Sequence, residues 1–227
     1  MWANLAMILG AYLLGALPVL YLLGRLRGYD LSKEEDLHMA LWRKVGRFEG
    51  TLGIIWDLGK GAVCVLIARV LGFSPSVVAA AGVAVVAGQM WPAFYRFDGE
   101  KGNSTGLAMA LALAPMPLLI ALIPILVGAI IRTAPRFLRS GQSVNERLKF
   151  GGPPSLSLPL GMAIGFAVLP LASWWLGESG AVTIAFAVLF VLIMVRRLTA
   201  DLRKDLEGAT NKRGILVNRF FYDRSYL

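Results

Sequence analysis

Between Gly88 and Gly106 the chain reads GQMWPAFYRFDGEKGNSTG, which sets Asp98, Glu100 and Lys101 around Gly99 and just ahead of Gly102. Glycines at 99 and 102 let the backbone take positive φ and turn its N–H groups inward, and Lys101 adds a cation. These are the parts of a phosphate-binding nest. Asn103, Ser104 and Thr105 follow as candidate N-caps of a helix whose N-terminus would face the same spot. The chemistry implied is capture of an anion. The G-x-x-x-x-G-K-[ST] spacing of a Walker loop is absent, and glycines with one lysine would also suit a plain tight turn, so the reading needs context.

A second polar pair lies in GTLGIIWDLGKGAVCVL, where Asp57 and Lys60 stand three apart and share one helical face. Ionisable groups at membrane depth are costly and so are candidates for function. Gly50, Gly53 and Gly61 near that face permit close helix approach. Two readings stay open. The pair is a salt bridge that fixes helix packing, or its carboxylate holds a cationic substrate-binding residue in place.

The elements that must position these groups are membrane helices. Of 227 residues 57% are hydrophobic and only 16% charged, with mean hydropathy +0.65, more apolar than a soluble core of this size requires. The net charge of +9 would point to nucleic acid in a soluble domain. Here Lys and Arg cluster between apolar spans, where they act as orientation signals, and no nucleic-acid partner is expected. The single cysteine, Cys64, excludes an intramolecular disulfide. Apolar blocks cover 2–24, 51–72, 76–95, 156–176 and 181–195. The first lacks a basic leader and reads as a retained span rather than a signal peptide. Trp91 and Tyr95 read as interface anchors.

Residues 103–131 form a further apolar block interrupted by Pro115 and Pro117, either one tilted helix or two short ones. Charge arbitrates. With two segments, the loops 25–50, 96–102 and 132–155 and the tail 196–227, carrying six, two, five and eight Lys/Arg, all share one side. With one segment they split eight against thirteen. The positive-inside rule thus predicts an all-α, polytopic protein of about seven transmembrane helices, N-terminus outside and C-terminus cytoplasmic, with 1–227 as one membrane domain. The loop 132–155 and the tail are long enough for short amphipathic or re-entrant helices, and Gly208 reads as a helix stop.

The order of these pieces resembles a known family. W-P-x-F…F-x-G-x-K-G-x-x-T, from Trp91 to Thr105, is similar to a motif of the acyl-phosphate glycerol-3-phosphate acyltransferases, bacterial seven-span enzymes of phospholipid synthesis. Their first span ends in Pro and leucines before G-x-D-I-R-K, similar to Pro18 and LLGRLRGYDLSK; their D-x-x-K-G matches Asp57, Lys60 and Gly61; a later Y-V-S-L-A-S span resembles SLSLPLGMAIGFAVLP. In place of the family's glycine loop G-S-G-N-x-G-A-T-N stands the shorter EEDLHMALW, with Arg43 where a family Arg follows. The family's G-H before W-P is Gly88–Gln89, and of H-R-x-N-I-x-R-L near the C-terminus only Arg203 remains.

The resemblance implies acyl transfer from acyl phosphate to the 1-hydroxyl of glycerol 3-phosphate at the cytoplasmic face of the cell membrane, giving lysophosphatidic acid. It implies Lys101, Asp57, Lys60 and Arg43 as catalytic residues and Gly99, Gly102, Ser104, Thr105 and Arg203 as phosphate-binding. The expected partners are glycerol 3-phosphate, acyl phosphate and membrane lipid. The alternative is a catalytically silent paralogue or carrier that keeps the anion pocket. The H-x-x-x-x-D dyad of other glycerophosphate acyltransferases is absent, and the single histidine, His38, reads as a solvated or interfacial loop residue. No metal-ligand cluster or nucleotide motif stands out, so no cofactor is expected.

Overall fold

Proline and glycine divide the apolar chain into its helices. The computed structural model describes residues 1–31, 34, 37–95, 97–138, 141, 156–207 and 209–225. The first apolar block is α1 (Trp2–Ala16) and α2 (Val19–Leu26), parted at Leu17, which is extended (φ −63°, ψ 120°) because Pro18 disfavours a helical residue before it. A short turn α3 (Leu37–Ala40) runs into a π-helical turn, Leu41–Val45, and then into α4 (Arg47–Val70). α5 (Pro75–Met90) begins with proline at its first turn, where a missing N–H costs nothing. The block 103–131 is two helices, α6 (Asn103–Leu113) and α7 (Pro115–Phe137), parted at extended Ala114 for the same reason as Leu17. α8 (Ser157–Trp175), α9 (Gly180–Thr199), α10 (Leu202–Leu206) and α11 (Lys212–Tyr222) complete the described chain, and no strand occurs among the described residues.

Trp2–Leu26, α4, Pro115–Pro135 of α7, α8 and α9 are long and apolar enough to cross a membrane. α5 and α6 are shorter apolar helices. The outward residues fit that solvent: Leu5, Leu9, Ile123, Ile130, Trp174 and Trp175 are all exposed, as lipid-facing side chains would be. Inside, Val85, Met90, Met109, Phe166, Phe186, Leu189 and Ile193 form one core. The tail does form the short helices its length allowed, α10 and α11. Residues 142–155 of the preceding loop, and Gly208, lie outside the described residues.

Small residues bring the helices together, because lipid supplies no hydrophobic drive between them and close packing must do so. A Cβ at Gly15 would lie 1.9 Å from the Val85 carbonyl oxygen, and one at Gly88 would lie 2.0 Å from that of Tyr12, so α1 and α5 meet backbone to backbone. α4 and α6 run side by side in the same direction: the Thr105 hydroxyl donates to the Asp57 carbonyl (2.7 Å), and further along the Arg69 guanidinium donates to the Leu113 carbonyl (2.6 Å), capping the end of α6. The turns after α4 and α6 therefore share one end of the bundle, and the glycine loop lies at the other.

Candidate functional site

Helix periodicity places Asp57 and Lys60 on the buried face of α4, where Asp57 is 0% and Lys60 5% exposed. The Lys60 ammonium donates to Asp57 Oδ1 at 2.7 Å. Asp57 Oδ2 accepts from the Gln89 amide, also at 2.7 Å, and that same amide nitrogen donates to Glu100 Oε2 at 3.0 Å. Gly61 lies one turn on, where any Cβ would come within 2.3 Å of the Thr105 carbonyl oxygen. The absence of a side chain there lets the start of α6 sit against the pair. The two stretches singled out in the sequence thus meet.

The glycine loop differs in detail from the nest expected. Of its glycines only Gly102 has positive φ (71°), and it is the N-cap of α6, so Asn103, Ser104 and Thr105 occupy the first turn instead of capping it. Gly99 is required for space, since a Cβ would lie 2.0 Å from the Gln89 carbonyl oxygen. The N–H groups of Gly99 and Glu100 donate back to Met90 and Gln89 carbonyls, both at 3.1 Å, closing the end of α5 instead of facing a ligand. What remains for an anion is the Lys101 ammonium and the start of α6, which no side chain caps. The ammonium is already paired, with the Asp223 carboxylate at 2.7 Å.

His38 is not a solvated loop residue. Its Nε2 lies 3.0 Å from Asp57 Oδ2 and 3.4 Å from Glu100 Oε2, while its Nδ1 is buried without a partner. Two carboxylates converging in a partly buried site favour a shared proton or a positive charge between them, and burial pushes the Glu100 carboxyl up. Burial by itself would lower the imidazole pKa, but hydrogen bonds to Asp57 and Glu100 overcome it and push the value from 6.5 up to about 10. Ligand atoms of His38, Asp57 and Glu100 also lie within 4.8 Å of one another, a spacing open to a metal ion, which the sequence reading did not foresee. The donors of Lys60, Gln89 and His38 satisfy the carboxylates without one.

The raised imidazole pKa makes pH a probe of this cluster. Because the folded value exceeds the unfolded one, protonation of His38 stabilises the fold; that contribution is complete below about pH 6.5 and is lost as pH rises through about 10. The stability gap between the wild type and His38→Ala is therefore expected to be widest in mild acid and to close as the solution becomes alkaline, measured by thermal unfolding in detergent. As the chain's single histidine, His38 should also keep its protonated resonance at about pH 8. A midpoint near the unperturbed value would show that the carboxylate contacts do not hold.

Other candidates are scattered. Arg43 is exposed on the π-helical turn, and Ser104 is half-buried in the first turn of α6. Arg203, expected at the phosphate site, is turned to solvent with 94% of its side chain exposed and pairs with Glu207. The arginine that does reach the glycine loop is Arg196, 5% exposed, which donates to Asp98 Oδ1 at 2.6 Å and to the Gly99 carbonyl. Gln89, Arg196 and Asp223 were not picked out as site residues. The usable signal was a polar side chain at the end of an apolar run, which holds for Gln89 and Arg196; for Asp223 the sequence carries none.

Comparison with known proteins bears on the family and the fold. The sequence profile of the glycerol-3-phosphate acyltransferase family matches residues 5–208. Glycerol-3-phosphate acyltransferase 4 of Dehalococcoides mccartyi (strain CBDB1) is 32% identical over 230 residues, covering 97% of this chain and 88% of that protein. Glycerol-3-phosphate acyltransferase 5 of Dehalococcoides mccartyi (strain ATCC BAA-2266 / KCTC 15142 / 195) is 30% identical, covering 96% and 87%. In fold, the chain is similar to the crystal structure of PlsY (YgiH), an integral membrane glycerol 3-phosphate acyltransferase, in its glycerol 3-phosphate form, with TM-score 0.67 and 24% identity over 91% of this chain and 93% of that one. The family profile over residues 5–208, with relatives at 30% identity or more along nearly the whole chain, puts this chain in the glycerol-3-phosphate acyltransferase family.

Proposed function

We propose that the protein transfers a fatty acyl group from acyl phosphate to the 1-hydroxyl of glycerol 3-phosphate, forming lysophosphatidic acid and inorganic phosphate. The observation that carries this reading is the place of Lys101 directly before the uncapped start of α6, a cation next to a helix N-terminus at the bundle end where the glycine loop lies. Both substrates are phosphate anions, and one carries an acyl tail that suits a site at the lipid boundary. The hydroxyl oxygen bonds to the acyl carbon, the bond from that carbon to the phosphate oxygen breaks, and phosphate leaves with the electron pair and takes up the hydroxyl proton. The donor is already activated, so positioning supplies much of the rate and no covalent enzyme intermediate is needed. Lys101 and the α6 N–H groups bind phosphate and screen developing charge. Asp57, paired with Lys60, holds Gln89 through its carboxylate and Thr105 through its backbone carbonyl, and thereby the loop.

Lys101→Ala is expected to lower turnover or substrate affinity about ten- to a hundredfold without unfolding the protein, since charge-assisted hydrogen bonds contribute roughly 1.5–3 kcal/mol. The assay uses purified protein in detergent, palmitoyl phosphate and labelled glycerol 3-phosphate, with palmitoyl-CoA as control donor. Product from the CoA ester but not from the acyl phosphate would overturn the donor assignment. Binding of glycerol phosphate without turnover would identify a catalytically silent relative.

We also infer about seven spans, with α5 and α6 as the short ones, in the cell membrane with the site on the cytoplasmic face. Reporter fusions after residues 40, 100, 145 and 227 should report cytoplasm, and those near 73, 116 and 178 the outside. Agreement between 116 and 145 would refute the arrangement.

A further inference from the structure

We propose that the Asp223 carboxylate is an internal competitor for the phosphate site, seated at Lys101 by the C-terminal helix, so that substrate must displace the end of the chain to bind. The inference rests on the reading of Lys101 as a phosphate ligand and adds its regulation. The pair is asymmetric in a telling way. The Lys101 side chain is 42% exposed and the Asp223 side chain only 14%, so the carboxylate has been carried inward and does not meet a lysine out in solvent. An anion desolvated beside a cation that directly precedes a helix start takes the position a phosphate oxygen would take.

The placement is enforced from outside the pair. Asp223 closes α11 in the left-handed region (φ 57°, ψ 36°), which aspartate adopts more readily than most residues. α11 is held there by Arg219, 7% exposed, whose guanidinium donates to the Asp205 carboxylate and to the Ala200 and Arg197 carbonyls. Arg197, 1% exposed, lies within electrostatic reach of Asp223 and adds a second positive charge to the carboxylate's surroundings. The lysine and the aspartate are 122 residues apart, and the segment bearing Asp223 lies beyond residue 208, where the match to the family profile ends. The contact is made by α11, which is held by Arg219 and by Phe220 packed against the core. Its exposed face carries Lys212, Arg213, Leu216, Val217 and Phe221, none of which is needed to hold the bundle together.

Asp223→Asn keeps the shape and removes the charge. Part-exposed ion pairs are worth up to about 1 kcal/mol, so the variant is expected to lower KM for glycerol 3-phosphate and the inhibition constant of inorganic phosphate about two- to fivefold at unchanged kcat. In a Lys101→Ala background the same change should do nothing, because the competitor then has nothing to compete for. A higher or unchanged KM in Asp223→Asn would overturn the proposal, the first by showing that the carboxylate positions Lys101 instead of opposing substrate. An equal gain with and without Lys101 would overturn it too, by placing the effect elsewhere. If Lys101→Ala itself leaves KM and phosphate inhibition untouched, the phosphate-site reading fails and takes this inference with it. A normal Lys101 effect beside a silent Asp223→Asn sinks the inference alone. Wild-type thermal midpoints in Asp223→Asn confirm that the kinetic change is not a folding change.

Discussion

Asp57→Ala should be among the most damaging single changes in the protein, and worse than Asp57→Ala combined with Lys60→Ala. The carboxylate is wholly buried and accepts from Lys60, Gln89 and His38. Gln89 and His38 keep Glu100 as a partner when it is removed, but the Lys60 ammonium, 5% exposed, keeps no carboxylate. A buried ion pair gives little net stability over an apolar pair, yet removal of one member costs about 3–5 kcal/mol because the other charge stays buried and unpaired. The double variant removes that charge and should recover part of the loss. Thermal unfolding and folded yield in detergent across the four-variant cycle read this directly. Simple addition of the two losses would show that the side chains do not meet.

Gly61→Val is expected to fail for a different reason. The new Cβ would lie 2.3 Å from the Thr105 carbonyl oxygen and 3.1 Å from the Met109 backbone nitrogen. Both are backbone atoms of α6, so no rotamer change relieves the clash and the helices must part. Parting them breaks the Thr105 hydroxyl bond to the Asp57 carbonyl and tilts the start of α6, with Lys101 beside it. Overpacking commonly costs about 1–3 kcal/mol, and a backbone-to-backbone clash belongs at or above the top of that range. Gly59, two residues earlier, is the control: nothing lies within 4 Å of a Cβ there, so Gly59→Val should be tolerated. Similar unfolding midpoints for the two variants would refute the close α4–α6 approach.

The parts of this architecture readable from sequence are those decided within a few residues. Pro18 and Pro115 end helices through the residue just before them, so the divisions at Leu17 and Ala114 follow from local sterics. Asp57 and Lys60 pair because a helix stacks positions three apart. Gly102 takes positive φ at a helix start for want of a Cβ. The resemblance of ordered motifs added the family, which the shared profile then showed.

Everything that makes the loop a site came from distant chain. Gly99 was read for its φ and turned out to matter for its volume, because the atom it avoids belongs to the end of α5 folded back over it. Its N–H was read as a ligand donor and is spent on a helix end, since carbonyls left over by α5 must find partners in a medium without water. His38 read as a solvated or interfacial loop residue, outside any H-x-x-x-x-D dyad, whereas the carboxylates that hold it arrive from α4 and from the glycine loop. Arg196 reaches Asp98 across 98 residues, and Arg203, seven positions later, faces solvent because the chain turns at Ala200 and Asp201. Local sterics and hydropathy determined which segments become helices and where they stop. Which charges meet was decided by packing, because a buried charge takes whatever counter-charge the assembled bundle brings within reach, whatever its distance along the chain.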